Sequence, residues 1–491
     1  MVTGLAGVVR SGQRLGADPT RVVTQLFVPG QEGFGPHDSR AQAVVDRLLA
    51  LEEGEVAECL ADVVARFGTR HRDLTATFHH HADLLADRCH LRELSAARRL
   101  LLGATFTSEY AIEGAALCNP SVVANPDQDG TAAGSLRVVL STRSVGEGHV
   151  SSLGFRTGTV DSDGAVRIDP APAWATTGRV GGTLLSAAAI RMEVHRRGGA
   201  SENVDYVLDP LGPQFTRSVL EERLGSLAEH PHTRHHGQDT AALLWSIADR
   251  TYTVTFPEAT VLAERVLRPA MGAEVHGIED ARFVRFVHDD GSVTYYATYT
   301  AYDGADISQQ LLRTDDFCSF TSSPLVGEAA ANKGLALFPR RIGGRYAALT
   351  RADRETNGVS FSDDPQVWEG RTTVQVPARP WELLQLGNCG PPIETPAGWL
   401  VLTHGVGPMR TYCIGAILLD LDDPTVVIGQ LRQPLLAPAA EEQDGYVPNV
   451  VYSCGALVHA DTLVLPYGIS DAAIGIATIG LPGLIEDCLR G

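Results

Sequence analysis

Beyond Cys118 one device recurs along the chain: a short run of β-branched and aromatic residues, a turn built from Gly, Asp or Pro, and a second such run. "ARFVRFVHDDGSVTYYATYT" turns at Asp289–Gly291, "LALFPRRIGGRYAALTR" at Gly343–Gly344, "PPIETPAGWLVLTHG" at Pro396–Gly398 and "GALVHADTLVLPYG" at Ala460–Asp461. A looser first copy is "NPSVVANPDQDGTAAGSLRVVLSTR". The copies end at Arg143, Thr300, Arg351, His404 and Tyr467. The last three follow one another at roughly 50 to 60 residues, near the blade length of a β-propeller. Five hairpins that close a ring leave only short edges and gather their inner strand ends around a central pocket. The expected fold is therefore mainly β, a five-bladed β-propeller over residues 111–491.

Two segments break the rhythm. In residues 1–110, "AQAVVDRLLALEEGEVAECLADVVARF" returns apolar residues every three or four positions without proline, which predicts an α-helical N-terminal region. The long gap between the first two hairpins holds "SVLEERLGSLAEHPHTRHHGQDTAALLWSIADR", which predicts a partly helical insertion at about 177–265 after the first blade.

Composition narrows the class of function. A net charge of −19 over 491 residues repels phosphate backbones and anionic lipid, so neither nucleic acid nor a membrane is an expected partner. No run approaches the 18 or so apolar residues of a membrane span, and the apolar run at the N-terminus is too short for a signal peptide. Eight cysteines with no C-x-x-C spacing suit free thiols in a reducing compartment. A cytoplasmic protein is expected.

"HGIEDARFVRF" places Glu279, Asp280 and Arg282 just before an apolar run. An acid pair there serves as a solvated turn, a metal ligand or a catalytic acid, and the stretch alone leaves all three open. Two histidine clusters, His79–His81 and His230–His236, suggest a metal. Three consecutive residues on a helix point in different directions, however, and the second cluster has no nearby Cys, so no metal site is expected. "GEGHVSS", Gly146–Ser152, is glycine-rich but lacks the strand–G-x-G-x-x-G–helix setting of a phosphate loop. It reads as a loop at the pocket rim that brings His149 toward a ligand.

Taken in order, "GIEDARF", "NKGLALFPRRIGGRYAALTR", "GPPIETPAGWLVLTHGV" and "VPNVVYSCGALVHADTLVLPYGISDAAIG" resemble glycoside hydrolase family 130, the family of β-mannoside phosphorylases and some related β-mannosidases. The likeness runs from about Asn119 to Ile479, and the helical N-terminal region marks a longer-chain branch. The resemblance implies a five-bladed propeller that cleaves a β-mannosidic bond with inorganic phosphate, giving α-mannose 1-phosphate. It identifies Asp280 as the general acid. Ala281 stands where the family motif has proline, so the backbone after the acid lacks that ring's restraint. Lys333, Arg351 and His404 match the family's phosphate-binding groups. Asn119, Arg143, Asp303 and Asp471 match positions around the transferred mannose, and Arg282 would brace the acid or a sugar hydroxyl.

An inverting hydrolase needs a second carboxylate to activate water, whereas a phosphorylase replaces that base with cations that hold its anionic nucleophile. The basic residues at hairpin ends favour phosphorolysis. A β-mannosidase would draw its base from Glu394 or Glu442, and a non-catalytic carbohydrate-binding propeller would need neither the acid nor the cations. The expectation is a reversible inverting β-mannoside phosphorylase with no cofactor besides phosphate as co-substrate. A homo-oligomer is also expected.

Overall fold

The computed structural model describes residues 7–29, 39–89, 94–182, 184–196, 201–228 and 237–491. The chain divides into two compact units, one of Met1–Ala17, Ala115–Ala171 and Thr177–Gly491, the other of Asp18–Gly114 and Pro172–Thr176.

The smaller unit carries helices Ser39–Leu49, Glu53–Phe67, Leu74–Cys89 and Ala96–Thr105. Their apolar stripes meet in a cluster of Val45, Leu48, Val56, Leu85, Leu101, Leu102 and Phe106, as three- and four-residue spacing requires. It also holds an antiparallel strand pair, Val22–Leu26 with Thr107–Ala111, and a buried ion pair, Arg21 Nε to Glu113 Oε1 at 2.7 Å.

The larger unit consists chiefly of antiparallel meanders. The first runs through Ala116–Ala124, Leu136–Val145, Ser151–Val160 and Val166–Ile168. The second runs through Gly277–Val287, Val293–Tyr302, Ile307–Thr314 and Ser319–Pro324. The third is Ala336–Leu337, Tyr346–Thr350, Asn357–Ser362 and Thr372–Gln375. The fourth is Gln385–Asn388, Gly398–Val406, Tyr412–Leu419 and Val427–Gln430. The fifth is Val451–Tyr452, Thr462–Ile469 and Ala473–Gly480, and its outer strand is Val8–Gly16 from the other end of the chain. Strands such as Gly398–Val406 are buried along their whole length, an apolar run that ends on the buried polar residues Thr403 and His404.

Residues 1–110 are therefore not wholly helical as expected. They open on a strand, and a second strand precedes the helices. Val8–Gly16 is rich in polar residues and exposed along much of its length, so it lacks the apolar alternation that would mark a strand in sequence. Between the first two meanders, helices Ala187–Arg196, Ser201–Leu208, Arg217–Ala228 and Gly237–Ala248 pack on a core of their own, including Ile190, Val207, Leu220 and Leu244. The segment then returns to the sheet: Tyr252–Thr255 pairs with Ser319–Ser322. Among the described residues no helix is long and apolar enough to cross a membrane.

Candidate active site

The opening strands of the first and second meanders break register at the same step, between Cys118 and Ser121 and between Glu279 and Arg282. Within each break one residue takes left-handed backbone, Asn119 at φ 46° and Asp280 at φ 56°. Asn and Asp visit that region more readily than other side chains, and a bulge of this kind re-aims a side chain while the strand continues. Asn332, immediately before Lys333, has φ 62°. The two bulges bring Asn119 and Asp280 together, and Asn119 Nδ2 donates to Asp280 Oδ1 at 2.7 Å.

Around this pair lies a compact ion network. Arg143 Nη2 donates to Glu279 Oε1 at 2.6 Å, and Arg143 Nη1 is 3.5 Å from Asp280 Oδ1. Lys333 Nζ approaches Glu279 Oε2 at 3.5 Å. Burial alone would raise the Asp280 carboxyl, but Arg143, Lys333, Arg282 and the Asn119 amide outweigh it and hold the group below the ordinary carboxylate range. Burial works against the Arg143 charge, and the Asp280 and Glu279 carboxylates more than restore it. Among the described residues, Asn119 Oδ1, Arg143 Nε and Arg282 Nε are buried without a hydrogen-bond partner, so polar capacity remains for a bound molecule.

Of the two roles the resemblance implied for Arg282, a sugar hydroxyl or the acid, the second is not met by a hydrogen bond to the Asp280 carboxylate, which Arg282 influences only through its charge. Its Nη2 donates to the Tyr452 hydroxyl at 2.6 Å and its Nη1 reaches the Asp280 main-chain carbonyl at 3.4 Å. Asn119 and Arg143 hold the carboxylate instead.

A second group is assembled across the third and fourth meanders. Gly387 pairs with His404 in register, and a Cβ added there would lie 2.5 Å from both Arg351 Cδ and His404 Cε1. Only glycine lets these two side chains approach over that strand. Asn388 ties the group together: its side chain donates to the Gly334 carbonyl at 2.6 Å, and its own carbonyl meets His404 Nδ1 at 3.2 Å. Gly334 follows Lys333 and abuts Arg351, so Lys333, Arg351 and His404 share one framework. Arg351 Nη2 donates to the Arg354 carbonyl at 2.8 Å.

His404 is not the cation the sequence reading allowed. Burial, then Arg351 and Arg282, press its pKa well below the ordinary imidazole value. The ring is neutral, and because Asn388 O only accepts, Nδ1 carries the hydrogen and Nε2 is left as an acceptor.

Asp471 has left-handed backbone at φ 49°. Burial, and then repulsion from Asp280, lift its carboxyl to about 6. Asp303 is exposed, and its Oδ1 accepts from the main chain of Ala305 at 2.9 Å and Asp306 at 2.7 Å, capping its own turn. It also lines a cavity of about 760 Å³ with Asn332, Arg250 and Glu193. The Asp280 cluster, with its charges and unpartnered polar atoms, is not among that cavity's lining residues.

The two carboxylates considered as hydrolytic bases are both engaged elsewhere. Glu394 is exposed and held by Arg340 at 2.7 Å. Glu442 is buried and takes Arg10 at 3.2 Å, the Tyr467 hydroxyl at 2.5 Å and the Ala439 amide at 2.9 Å. Of the histidines, His81 Nδ1 lies 2.7 Å from Thr107 Oγ1, and His230–His236 falls outside the described residues. Among the described residues no group of three or more His, Cys, Asp or Glu is arranged to hold a metal ion.

Tyr452 and Gly387 were not singled out in the sequence as parts of the site, and Glu279 was named there only as the other half of the acid pair. Glu279 was legible only as the neighbour of Asp280, Tyr452 only as an aromatic in "VVYSCG". Gly387 had no local signal at all.

A family model described as Glyco_hydro_130, beta-1,4-mannooligosaccharide phosphorylase, matches residues 238–488. A 1,2-beta-oligomannan phosphorylase of Thermoanaerobacter sp. (strain X514) is 37% identical over 217 residues, 42% of this chain and 69% of that protein. A beta-1,2-mannobiose phosphorylase of Listeria innocua is 32% identical over 215 residues, 42% of this chain and 59% of that protein. Among solved structures, a beta-1,2-mannobiose phosphorylase from Listeria innocua with bound beta-1,2-mannobiose aligns at TM-score 0.46 and 20% identity, covering 78% of this chain and 94% of the other.

Proposed function

We propose, from the premise that this chain belongs to glycoside hydrolase family 130, that it is an inverting phosphorylase of β-linked mannosides or manno-oligosaccharides. The observation that carries this reading is the pairing of one buried acid, Asp280, with a framework that gathers Lys333, Arg351 and His404. The carboxylates that could have served as a water-activating base are tied to other partners. Phosphate is an anion and needs charge and hydrogen bonds rather than a base.

In the forward reaction a phosphate oxygen attacks the anomeric carbon as the glycosidic C–O bond breaks. The proton of Asp280 goes to the leaving oxygen, directly or through a sugar hydroxyl, and inversion yields α-D-mannose 1-phosphate and a shortened acceptor. Asp280 is ionised in the free site, so it must first gain its proton. Phosphate bound beside Lys333 and Arg282 offsets the charges that depress Asp280 and so favours the protonated acid. Arg351 can grip two phosphate oxygens. Neutral His404 can accept a hydrogen bond from a P–OH group through Nε2. Asn119, Arg143 and Asp471 surround the mannose in this reading, with Asp471 accepting a pair of hydroxyls, whereas Asp303 caps its own turn at a different cavity.

The same reading closes the meanders into a five-bladed propeller. Apolar clusters join the first to the second, the second to the third, the third to the fourth, the fourth to the fifth, and the fifth back to the first. The free thiols of the described cysteines support a cytoplasmic setting. We take the functional form to be a homo-oligomer.

The test is incubation with α-D-mannose 1-phosphate and a panel of sugar acceptors, following phosphate release. Turnover in the cleavage direction should require phosphate and saturate with it. Free mannose released at an unchanged rate in phosphate-free buffer would sink the reading.

A further inference from the structure

Two hairpins of the larger unit end in the same loop. Gly146–Val150 and Gly407–Thr411 each start on an extended glycine, φ −103°, ψ −159° and φ −108°, ψ −161°. Each then turns through two left-handed residues, Gly148 and His149 in one and Met409 and Arg410 in the other. The loops are closed by the Gly146 amide to the Val150 carbonyl at 3.1 Å and the Gly407 amide to the Thr411 carbonyl at 3.0 Å. The first begins three residues after Arg143 and the second three after His404, so both rise from strands that carry site residues.

One tip and a neighbouring segment carry exposed apolar side chains. Met409 is 87% exposed and Tyr446 60% exposed. The Tyr446 and His149 rings stack at 5.6 Å and 24°, with the hydroxyl 3.4 Å from Nδ1. Tyr446 is fixed beside Asp471: the Val447 amide donates to the Ser470 carbonyl at 2.9 Å, and a Cβ at Gly445 would lie 2.5 Å from the same oxygen. Arg410 lies within electrostatic range of Asp471. Left-handed backbone at His149, Met409 and Arg410 is strained, and here it buries nothing. Strain that persists without a packing return clusters at ligand-binding places.

We infer that the Tyr446–His149 stack, beside the Ser470–Asp471 turn, is the platform on which the leaving sugar ring of the substrate lies. This deepens the phosphorylase reading and rests on it. The negative face of an aromatic ring attracts the polarised C–H face of a pyranose, as it attracts the positive edge of another ring. A pair of rings already stacked loses little freedom on binding.

The experiment uses the full chain and the variants Tyr446→Ala, His149→Ala and Tyr446→Phe. In synthesis from α-D-mannose 1-phosphate, the alanine variants should raise KM for the acceptor sugar about three- to tenfold. KM for mannose 1-phosphate should stay within about twofold on the same scale, and Tyr446→Phe should retain most acceptor affinity because the ring remains. Acceptor KM unchanged in both alanine variants, or both KM values rising together, overturns the platform. A calorimetric titration with a β-linked mannotriose needs no turnover: Tyr446→Ala should bind it more weakly while binding mannose as before. Equal mannotriose affinity in variant and parent, or no mannotriose binding by either, overturns the platform whether or not phosphate is released. Absence of phosphate release with binding intact counts against phosphorolysis alone.

Discussion

Asn119 donates its amide to Asp280 across 2.7 Å, and the two residues occupy the same left-handed step of successive meanders. A single bulge geometry, used twice, thus supplies both the acid and the group that holds it.

Asp280→Asn preserves the shape of the side chain but carries no transferable proton. The variant should fold normally and lose about 10²–10⁴-fold in turnover of substrates with poor leaving groups, the usual worth of general acid catalysis. Rates on a manno-oligosaccharide, with melting temperature as the folding control, check this. Near-parental rates would remove Asp280 from the mechanism.

Arg351→Ala deletes a bidentate charged contact, worth about 1.5–3 kcal/mol. KM for phosphate should rise by about one to two decades, with a smaller change for the mannoside. Gly387→Ala should act in the same direction, because its new Cβ would meet Arg351 and His404 at 2.5 Å. Initial rates over a phosphate series separate the two KM values, and an unchanged phosphate KM in both variants would exclude this place as the phosphate site.

Asp471 titrates at about 6, so it is mostly ionised at pH 7 and mostly protonated at pH 5. In the proposed reading it accepts sugar hydroxyls as a carboxylate, and that capacity falls as pH drops. Mannoside affinity should therefore decline below pH 6, approaching about tenfold per unit for a single proton. Asp471→Asn should flatten this limb. A limb that survives the substitution belongs to another group.

Arg10 reaches across from the first strand to Glu442, which is buried and also bound by Tyr467. Arg10→Ala leaves that carboxylate short of its cation and should cost about 1–3 kcal/mol. Denaturant unfolding measures the loss. A variant of parental stability would show that the other donors suffice for Glu442.

Much of the strand framework was visible in the chain because its signals are local. Gly343–Gly344 and Asp289–Gly291 are turn chemistry, and the apolar runs around them are strands wherever they lie. Asp280 was visible for a different reason: its neighbours form a motif, and the family resemblance supplied its role. The N-terminal strand escaped, since Val8–Gly16 is polar along most of its length and its partner, Ala473–Gly480, lies at the opposite end of the chain.

By itself, then, the sequence determined the strand rhythm and the helical segments, which depend on residues within a few positions of one another, and it pointed to Asp280 only through a family resemblance. Only the tertiary structure decided who holds that carboxylate, because Asn119 and Asp280 are 161 positions apart and meet through the pairing and packing of two meanders. It also decided that Arg282 serves Tyr452 and the main chain rather than the carboxylate. The charge of His404 was decided there as well: a histidine is neutral or cationic according to its burial and the cations around it, and neither is written in the residues beside it.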